Sequence, residues 1–175
     1  EDLSGALLAD RYRVVREIGR GSVGVVYEAR HTFTGRRVAL KVLKDQHAAD
    51  GVIQTRFLRE AETMVAVEDP HVVDVLDMGR TAEHGLFLVY EYLDGVGLNA
   101  LIQRESALPV ERAAHIGTQL AAVMGKAHAQ GIVHRDLKPA NVVLIPRDGD
   151  PDYVKVIDFG IARVNAPVSF SESAD

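Results

Sequence analysis

One short segment restricts the folds open to this chain more than any other. Residues 134–141 read His-Arg-Asp-Leu-Lys-Pro-Ala-Asn, and an Asp-Phe-Gly triplet begins at Asp158. Asp136 can accept the proton of an attacking hydroxyl group, and Lys138 can neutralise negative charge on a group in transfer. Asn141 and Asp158 offer oxygen atoms, the ligands that Mg²⁺ prefers. Two unrelated polar turns could contain the same residue types, but eight positions in this order favour a catalytic loop followed by a metal-binding aspartate.

A glycine-rich stretch near the N-terminus predicts a phosphate-binding hairpin. Residues 19–26 read Gly-Arg-Gly-Ser-Val-Gly-Val-Val. Glycine lets backbone N–H groups approach phosphate oxygens with no Cβ in the way. Taken alone, the pattern fits an ordinary glycine-rich turn equally well. A dinucleotide-binding loop would open a helix, whereas these glycines lead into Val25, Val26 and Tyr27, which are typical of a strand.

A lysine and a glutamate further along the chain predict an ion pair. Lys41 follows the strand-like residues 38–40, and Glu60 lies in a helix that we expect to pack against the same sheet. A carboxylate there can hold the ammonium group and orient it toward phosphate oxygens. A strand lysine taken alone is more often a solvated edge residue. Glu62 is a rival for the pairing, but it lies on a different face of the helix, so we predict Glu60.

Hydrophobic periodicity predicts a β-rich first half and a mainly helical second half. A hairpin turn is predicted at 147–150 and a hinge at 91–97. An apolar stripe along the last helix, made of Ile116, Leu120, Val123, Met124 and Ala127, predicts core packing. The predicted strands are 12–18, 23–29, 36–43, 72–77, 86–90, 142–145 and 153–157, and the predicted helices are 53–67, 98–104 and 109–131.

The composition narrows the class of protein. The chain has 175 residues, of which 47% are hydrophobic and 26% charged, which suits one globular domain. The net charge is -5, so the chain lacks the excess of basic residues that is typical of nucleic-acid-binding proteins. We therefore expect no nucleic-acid partner. Cysteine is absent, which fits a reducing cytosol. No membrane-spanning run or signal-peptide pattern is visible, and both ends resemble cuts from a longer protein.

Together these motifs resemble those of the eukaryotic-type Ser/Thr protein kinase family. The glycine loop, strand lysine, helix glutamate, His-Arg-Asp loop and Asp-Phe-Gly triplet follow the family's order over residues 11–163. The sequences of residues 139–141 and 157–163 are most similar to those of bacterial members of the family. The resemblance implies an α+β, bilobal protein-kinase fold with a complete β-rich N-lobe and a truncated helical C-lobe. Residues 1–175 would form a partial kinase domain, with the N-lobe and start of the hinge at about 11–92 and an incomplete C-lobe at about 93–175.

The same resemblance assigns roles to individual residues. It implies that the hinge backbone and a set of apolar side chains bind the adenine of ATP, that two residues hold Mg²⁺, and that His134 packs and does not act as a base. The implied nucleotide-binding residues are Ile18, Gly19, Gly21, Gly24, Val26, Ala39, Lys41, Tyr90, Glu91, Leu93 and Val143. The implied catalytic residues are Asp136, Lys138, Lys41 and Glu60, and the implied metal ligands are Asn141 and Asp158. A packed column of Met64, Val75, His134 and Phe159 would link the lobes.

The implied activity is transfer of the γ-phosphoryl group of ATP to Ser or Thr hydroxyls of proteins in cytoplasmic signalling. The position of Lys138, two residues after Asp136, resembles the pattern of Ser/Thr kinases rather than that of Tyr kinases. A pseudokinase and a small-molecule kinase similar to the aminoglycoside phosphotransferases are the alternatives. Gly97 stands where a ribose-binding side chain is common, and Ser169, Ser171 and Ser173 are the hydroxyls of the implied activation segment.

The resemblance also sets expectations about partners and behaviour. A kinase-kinase dimer for autophosphorylation is one implied partnership, and the longer protein could be anchored in a membrane through other regions. Because the Ala-Pro-Glu triplet and the later helices are absent, we expect the chain alone to be inactive. We also expect it to leave the apolar stripe of its last helix uncovered.

Overall fold

Strand-forming apolar segments in the first half of the chain build a six-stranded antiparallel sheet. The computed structural model describes residues 2–159. The strands are β1 (Leu7–Leu8), β2 (Tyr12–Arg20), β3 (Gly24–His31), β4 (Arg37–Leu43), β5 (Val75–Thr81) and β6 (Gly85–Glu91), in the order β1-β2-β3-β4-β6-β5. The predicted ends of β2, β3, β4 and β6 are confirmed to within two residues, whereas β1 was not predicted.

Each face of this sheet packs in a different core. One face carries Val14, Tyr27 and Leu40 in a cluster that also takes in Leu3 and Leu8 from the N-terminal residues. This outer core is closed by residues that precede the first predicted strand. The other face packs against a helix and joins the main core, which continues into the second half of the chain.

The helix α1 (Gly51–Val67) begins where an aspartate caps it. Asp50 Oδ1 accepts hydrogen bonds from the backbone N–H groups of Val52 and Ile53 at 2.9 and 3.1 Å. These bonds satisfy donors that the first helical turn leaves unpaired. The apolar positions Phe57, Ala61, Met64 and Val67 recur at helical spacing and are buried, so α1 packs against the sheet along one face.

The segment between α1 and β5 joins the two halves of the molecule. The predicted strand at 72–77 is wrong at both ends, since β5 begins at Val75 and ends at Thr81. Val72 forms a parallel bridge with Val156 of a later strand instead of pairing with β6. Val73 N–H donates to Val156 O at 2.9 Å, and Val156 N–H donates to His71 O at 2.7 Å. Periodicity cannot distinguish these pairings, since both bury the same valines.

The second half contains a small sheet and two helices. A two-residue turn at Asp148 and Gly149, both with positive φ, closes the predicted hairpin. The elements are β7 (Val96–Gly97), α2 (Leu98–Glu105), α3 (Val110–Ala129), β8 (Val142–Arg147) and β9 (Asp150–Val156), with a 3-10 turn at Pro139–Asn141. The strand order of the small sheet is β7-β8-β9. Within residues 2–159, no helix is long and apolar enough to cross a membrane.

The apolar stripe of α3 packs within the chain. Ile116, Val123 and Ala127 are buried, and the other two stripe residues are half-buried against the main core. The expectation that the stripe lies uncovered is therefore wrong. The exposed face of α3 carries small residues instead, among them Gly117 and Ala121.

Candidate active site

The strand lysine and the helix glutamate meet beneath the first sheet. Lys41 Nζ lies 2.5 Å from Glu60 Oε1, and the two side chains are only 16% and 11% exposed. Glu62 is exposed on another face of α1. The helical spacing of α1 therefore places Glu60, and not Glu62, against Lys41. The structure thus has the geometry that the sequence predicts for this pair.

Burial and neighbouring charges act against each other at Glu60. Burial raises the pKa of the Glu60 carboxyl, the Lys41 ammonium lowers it, and the negative charge of Asp158 raises it, so that the net shift is upward. The Tyr90 hydroxyl lies 3.4 Å from Glu60 Oε1, and burial raises the pKa of Tyr90 well above its usual value. Lys41 is therefore the main group that favours an ionised Glu60.

Three residues of the predicted catalytic loop form one hydrogen-bonded cluster after α3. Lys138 Nζ lies 2.7 Å from Asp136 Oδ2, and Asn141 Nδ2 donates to the backbone oxygen of Asp136 at 2.9 Å. Contact with the Lys138 ammonium lowers the pKa of the Asp136 carboxyl. Because about half of each charged side chain is exposed, the pair faces solvent, where another molecule can reach it.

His134 is a packing residue. Its side chain is buried, and its ring centroid lies 4.6 Å from that of Phe159. Burial lowers the pKa of His134, so the imidazole is held away from its charged form. Phe159 belongs to the main core together with Met64 and, at its margin, Val75. This core is continuous across the two halves of the chain.

Asp158 acts electrostatically on both the ion pair and the predicted catalytic loop. Ile157 N–H donates to Asn141 O at 3.0 Å, which brings the residue after it alongside the loop. The charge of Asp158 contributes to the raised pKa of Glu60 on one side and to that of Lys138 on the other. No three His, Cys, Asp or Glu side chains of residues 2–159 converge on a metal position. A cation at Asp158 and Asn141 would need phosphate and water oxygens as further ligands.

The glycines of the β2–β3 hairpin differ in what the fold requires of them. A Cβ on Gly24 would lie 2.9 Å from the backbone oxygen of Val42, so close packing against β4 demands glycine there. A Cβ on Gly19 or Gly21 would meet nothing closer than 3.9 or 3.7 Å, and neither residue has a positive φ. The protein itself leaves room for side chains at these two positions.

Four predicted nucleotide-binding residues share one face of the first sheet. Val26 is directly opposite Lys41 across β3 and β4, and Ala39 is opposite Tyr90 across β4 and β6. Paired residues of antiparallel strands lie on the same face, as do residues two apart on one strand. The half-buried surface of Val26 and Ala39 therefore continues directly into the Lys41 ion pair.

The remaining predicted residues lie on the hairpin, along the connection between the two sheets or on β8. Ile18 is exposed, Leu93 packs at the margin of the main core, and Val143 is opposite Gly97 across β8 and β7. The serines of the implied activation segment and Gly160 lie outside the described residues.

A buried lysine joins the end of β6 to the second sheet. Lys155 Nζ lies 2.5 Å from Glu91 Oε1 and 3.1 Å from Val72 O, and its side chain is 4% exposed. Glu91 Oε1 also accepts from Asp74 N–H at 3.0 Å. Sequence reasoning missed this contact, although a lysine in the middle of an apolar strand was a signal that it needs a buried partner.

Comparison with known proteins identifies the family. The Protein kinase domain family matches residues 12–173, and the chain belongs to it. The chain is 38% identical to the serine/threonine-protein kinase pkn3 of Myxococcus xanthus over 164 residues, which cover 94% of this chain and 30% of that protein. It is 39% identical to PknD of Mycobacterium tuberculosis over 153 residues, which cover 87% of this chain and 22% of that kinase.

Solved structures agree with the fold. The PknI kinase domain of Mycobacterium tuberculosis matches with a TM-score of 0.71 and 36% identity, covering 91% of this chain and 63% of that one. A Rad53 structure in complex with AMP-PNP matches with a TM-score of 0.76 over 86% of this chain and 39% of that one, at 24% identity. The expected α+β, bilobal kinase fold with a truncated C-lobe is confirmed, as is the similarity to bacterial members. The chain spans less than a third of the length of these curated relatives.

Proposed function

We propose that this chain carries the nucleotide site and catalytic loop of a Ser/Thr protein kinase, which transfers the γ-phosphoryl group of ATP to Ser or Thr hydroxyls of proteins. One observation carries the proposal. Asp158 lies within electrostatic reach of both the buried Lys41–Glu60 pair and the solvent-facing Asp136–Lys138 pair. Phosphoryl transfer needs cations beside the phosphates and a carboxylate near the attacking hydroxyl, and this arrangement supplies both.

The residues present fit ATP and Mg²⁺. Gly19 and Gly21 are not required by the fold, which supports a ligand that approaches the hairpin backbone closely, as phosphates do. Lys41 is held by Glu60 on the face that also carries Val26 and Ala39. The adenine would lie against that apolar surface and bond to the backbone of Glu91 and Leu93. When bound, Mg²⁺ would neutralise phosphate charge beside Asp158 and Asn141.

The catalytic-loop residues have distinct roles in the proposed reaction. Asp136 is held as a carboxylate by its contact with Lys138, so it can accept a hydrogen bond from the incoming hydroxyl and orient it. The Lys138 ammonium offsets charge on the transferred group. Asn141 holds the backbone of Asp136, which fixes the loop between the hydroxyl and the metal position.

The relatives' names support a protein substrate rather than a small molecule, since pkn3 and PknD are both named serine/threonine-protein kinases. We place the reaction in the cytoplasm, where ATP is supplied, and we include a second kinase molecule among the substrates. The chain alone is expected to lack activity, and membrane anchoring would depend on other regions of a longer protein.

Phosphoryl transfer to three acceptors tests the proposal. The protein that contains this chain is incubated with Mg²⁺ and labelled ATP, and with a Ser/Thr peptide library, a Tyr library or an aminoglycoside. We expect label on the Ser/Thr library alone. Transfer to the aminoglycoside would favour a small-molecule kinase, and nucleotide binding without any transfer would favour a pseudokinase.

A further inference from the structure

The tip of the glycine hairpin is held by residues that follow β4. Lys44 Nζ donates to Gly21 O at 2.6 Å, and Lys44 N–H donates to Val23 O at 3.0 Å. The imidazole Nε2 of His47 lies 3.3 Å from Ser22 O. Because a carbonyl oxygen only accepts, that nitrogen must carry the hydrogen if the contact is a bond. Three consecutive carbonyl groups of the hairpin thus face residues 44–47.

These contacts fix the directions of three backbone N–H groups. A trans peptide is planar and holds its N–H antiparallel to the C=O of the preceding residue. Carbonyls of residues 21–23 that face Lys44 and His47 therefore turn the N–H groups of Ser22, Val23 and Gly24 away from them. Gly21 N–H donates to Gly24 O at 2.9 Å, and among the described residues Gly21 O accepts from Lys44 Nζ and not from Gly24 N–H.

Lys44 lies on the side of the sheet away from the nucleotide surface. Together with Val25, Tyr27 and Val42 it lines a cavity of about 290 Å³ on the outer face. Lys41 and Val26 are on the opposite face. The Lys44 ammonium is therefore placed to act on a nucleotide through the hairpin backbone and not by contact with it.

We propose that Lys44, assisted by His47, is a positioning residue that orients the N–H groups of Ser22, Val23 and Gly24 toward the phosphates of ATP. This role rests on the proposed function, because it assumes that the hairpin covers a nucleotide triphosphate. Without the lysine side chain, Gly21 O loses the contact that fixes its direction, so the N–H of Ser22 in the same peptide is no longer held toward a phosphate.

Titration with ATP and with adenosine tests the role of Lys44. Lys44→Met should weaken ATP binding to the chain about fivefold and leave adenosine binding unchanged, because only the phosphates contact the hairpin tip. Lys44→Arg keeps a cationic donor of similar reach and should restore most of the ATP affinity. Lys126→Met is the matched control, since it removes a lysine-to-carbonyl bond of the same kind, to Glu68 O at 2.5 Å, far from the hairpin.

Amide hydrogen exchange gives a second readout that needs no nucleotide. In the free chain, exchange at the Ser22 amide should change in Lys44→Met and not in Lys126→Met. The assignment of Lys44 would be overturned by unchanged exchange or by equal losses of affinity for ATP and adenosine. It would also be overturned if the effect on ATP binding disappeared in high salt, because that would indicate simple charge attraction. Failure of the unsubstituted chain to bind any nucleotide would overturn the proposed function as well, which separates the two results.

Discussion

Alanine substitutions in the glycine hairpin separate the glycine that the fold requires from those that a ligand requires. A Cβ on residue 24 would lie 2.9 Å from Val42 O and 3.4 Å from Lys41 Cγ. The Val42 oxygen belongs to the backbone of β4, so Gly24→Ala forces a strand to move. Overpacking of this kind costs about 1–3 kcal/mol. For a domain of this size, about 2 kcal/mol corresponds to a fall of about 4–8 °C in melting temperature.

Gly21→Ala should have the opposite profile. The new Cβ would lie 3.7 Å from Gly24 O, an ordinary contact, and the backbone is not in the left-handed region. Removing a glycine from the unfolded chain stabilises a protein by about 0.4–1 kcal/mol where the native conformation allows it. We therefore expect unchanged or slightly higher stability, together with ATP binding about tenfold weaker because the methyl group occupies phosphate space.

Thermal unfolding with and without Mg·ATP measures both quantities in one experiment. Ligand stabilisation should be largely lost in Gly21→Ala, whose unliganded melting temperature stays near that of the unsubstituted chain. If Gly21→Ala melts as low as Gly24→Ala, both glycines serve the fold. If Gly21→Ala binds ATP normally, the hairpin does not hold the phosphates.

Three further substitutions test the contacts around the site. Lys155→Met should lower the free energy of unfolding in urea by about 3 kcal/mol, because it leaves the Glu91 carboxylate without its partner in a mostly buried place. Lys138→Met should raise the pKa of Asp136 toward the ordinary aspartate range, which carboxyl NMR can measure. In the unsubstituted protein this pKa is depressed. The stability linked to Asp136 is therefore present above the pKa of the unfolded state and is lost as pH falls through the pKa of the folded state. Glu60→Gln should lower kcat/KM by more than about tenfold in a phosphorylation assay.

Matched substitutions serve as controls for these three tests. Glu62→Gln removes a neighbouring but exposed carboxylate and should leave kcat/KM unchanged, so equal effects from both glutamate variants would contradict the ion-pair account. Adding Glu91→Gln to Lys155→Met should recover part of the lost stability, and no recovery would mean that packing, rather than an unpaired charge, explains the loss. If the pKa of Asp136 is unchanged in Lys138→Met, the contact between Asp136 and Lys138 does not persist in solution.

The site was predictable where one element carries its own signal. The helical period of α1 separates Glu60 from Glu62 with no knowledge of the sheet, and the structure brings Glu60 to Lys41. The catalytic loop is local, so the contacts of Asp136 with Lys138 and Asn141 follow from residues that lie within one short stretch. The roles of these residues in the reaction stay a prediction.

Contacts between distant segments were not predictable. Val72 and Val73 have the pattern of a strand but pair with β9 at Val156, a choice made by tertiary packing. Leu8 closes the outer core from a segment with no periodic signal, because two-residue strands are too short to show one. Lys155 is recognisable as unusual, yet only the fold reveals that its partner is Glu91 at the end of β6.

Asp158 and Asp136 are proposed to serve transfer of phosphate to a Ser or Thr hydroxyl. The direct measurement is incorporation of label from Mg·ATP into a Ser/Thr peptide by the protein that contains this chain, compared with its Asp158→Asn variant and with His128→Ala, an exposed histidine outside the site. We predict that Asp158→Asn abolishes transfer and that His128→Ala keeps most of it. An Asp158→Asn variant with full activity would contradict the account.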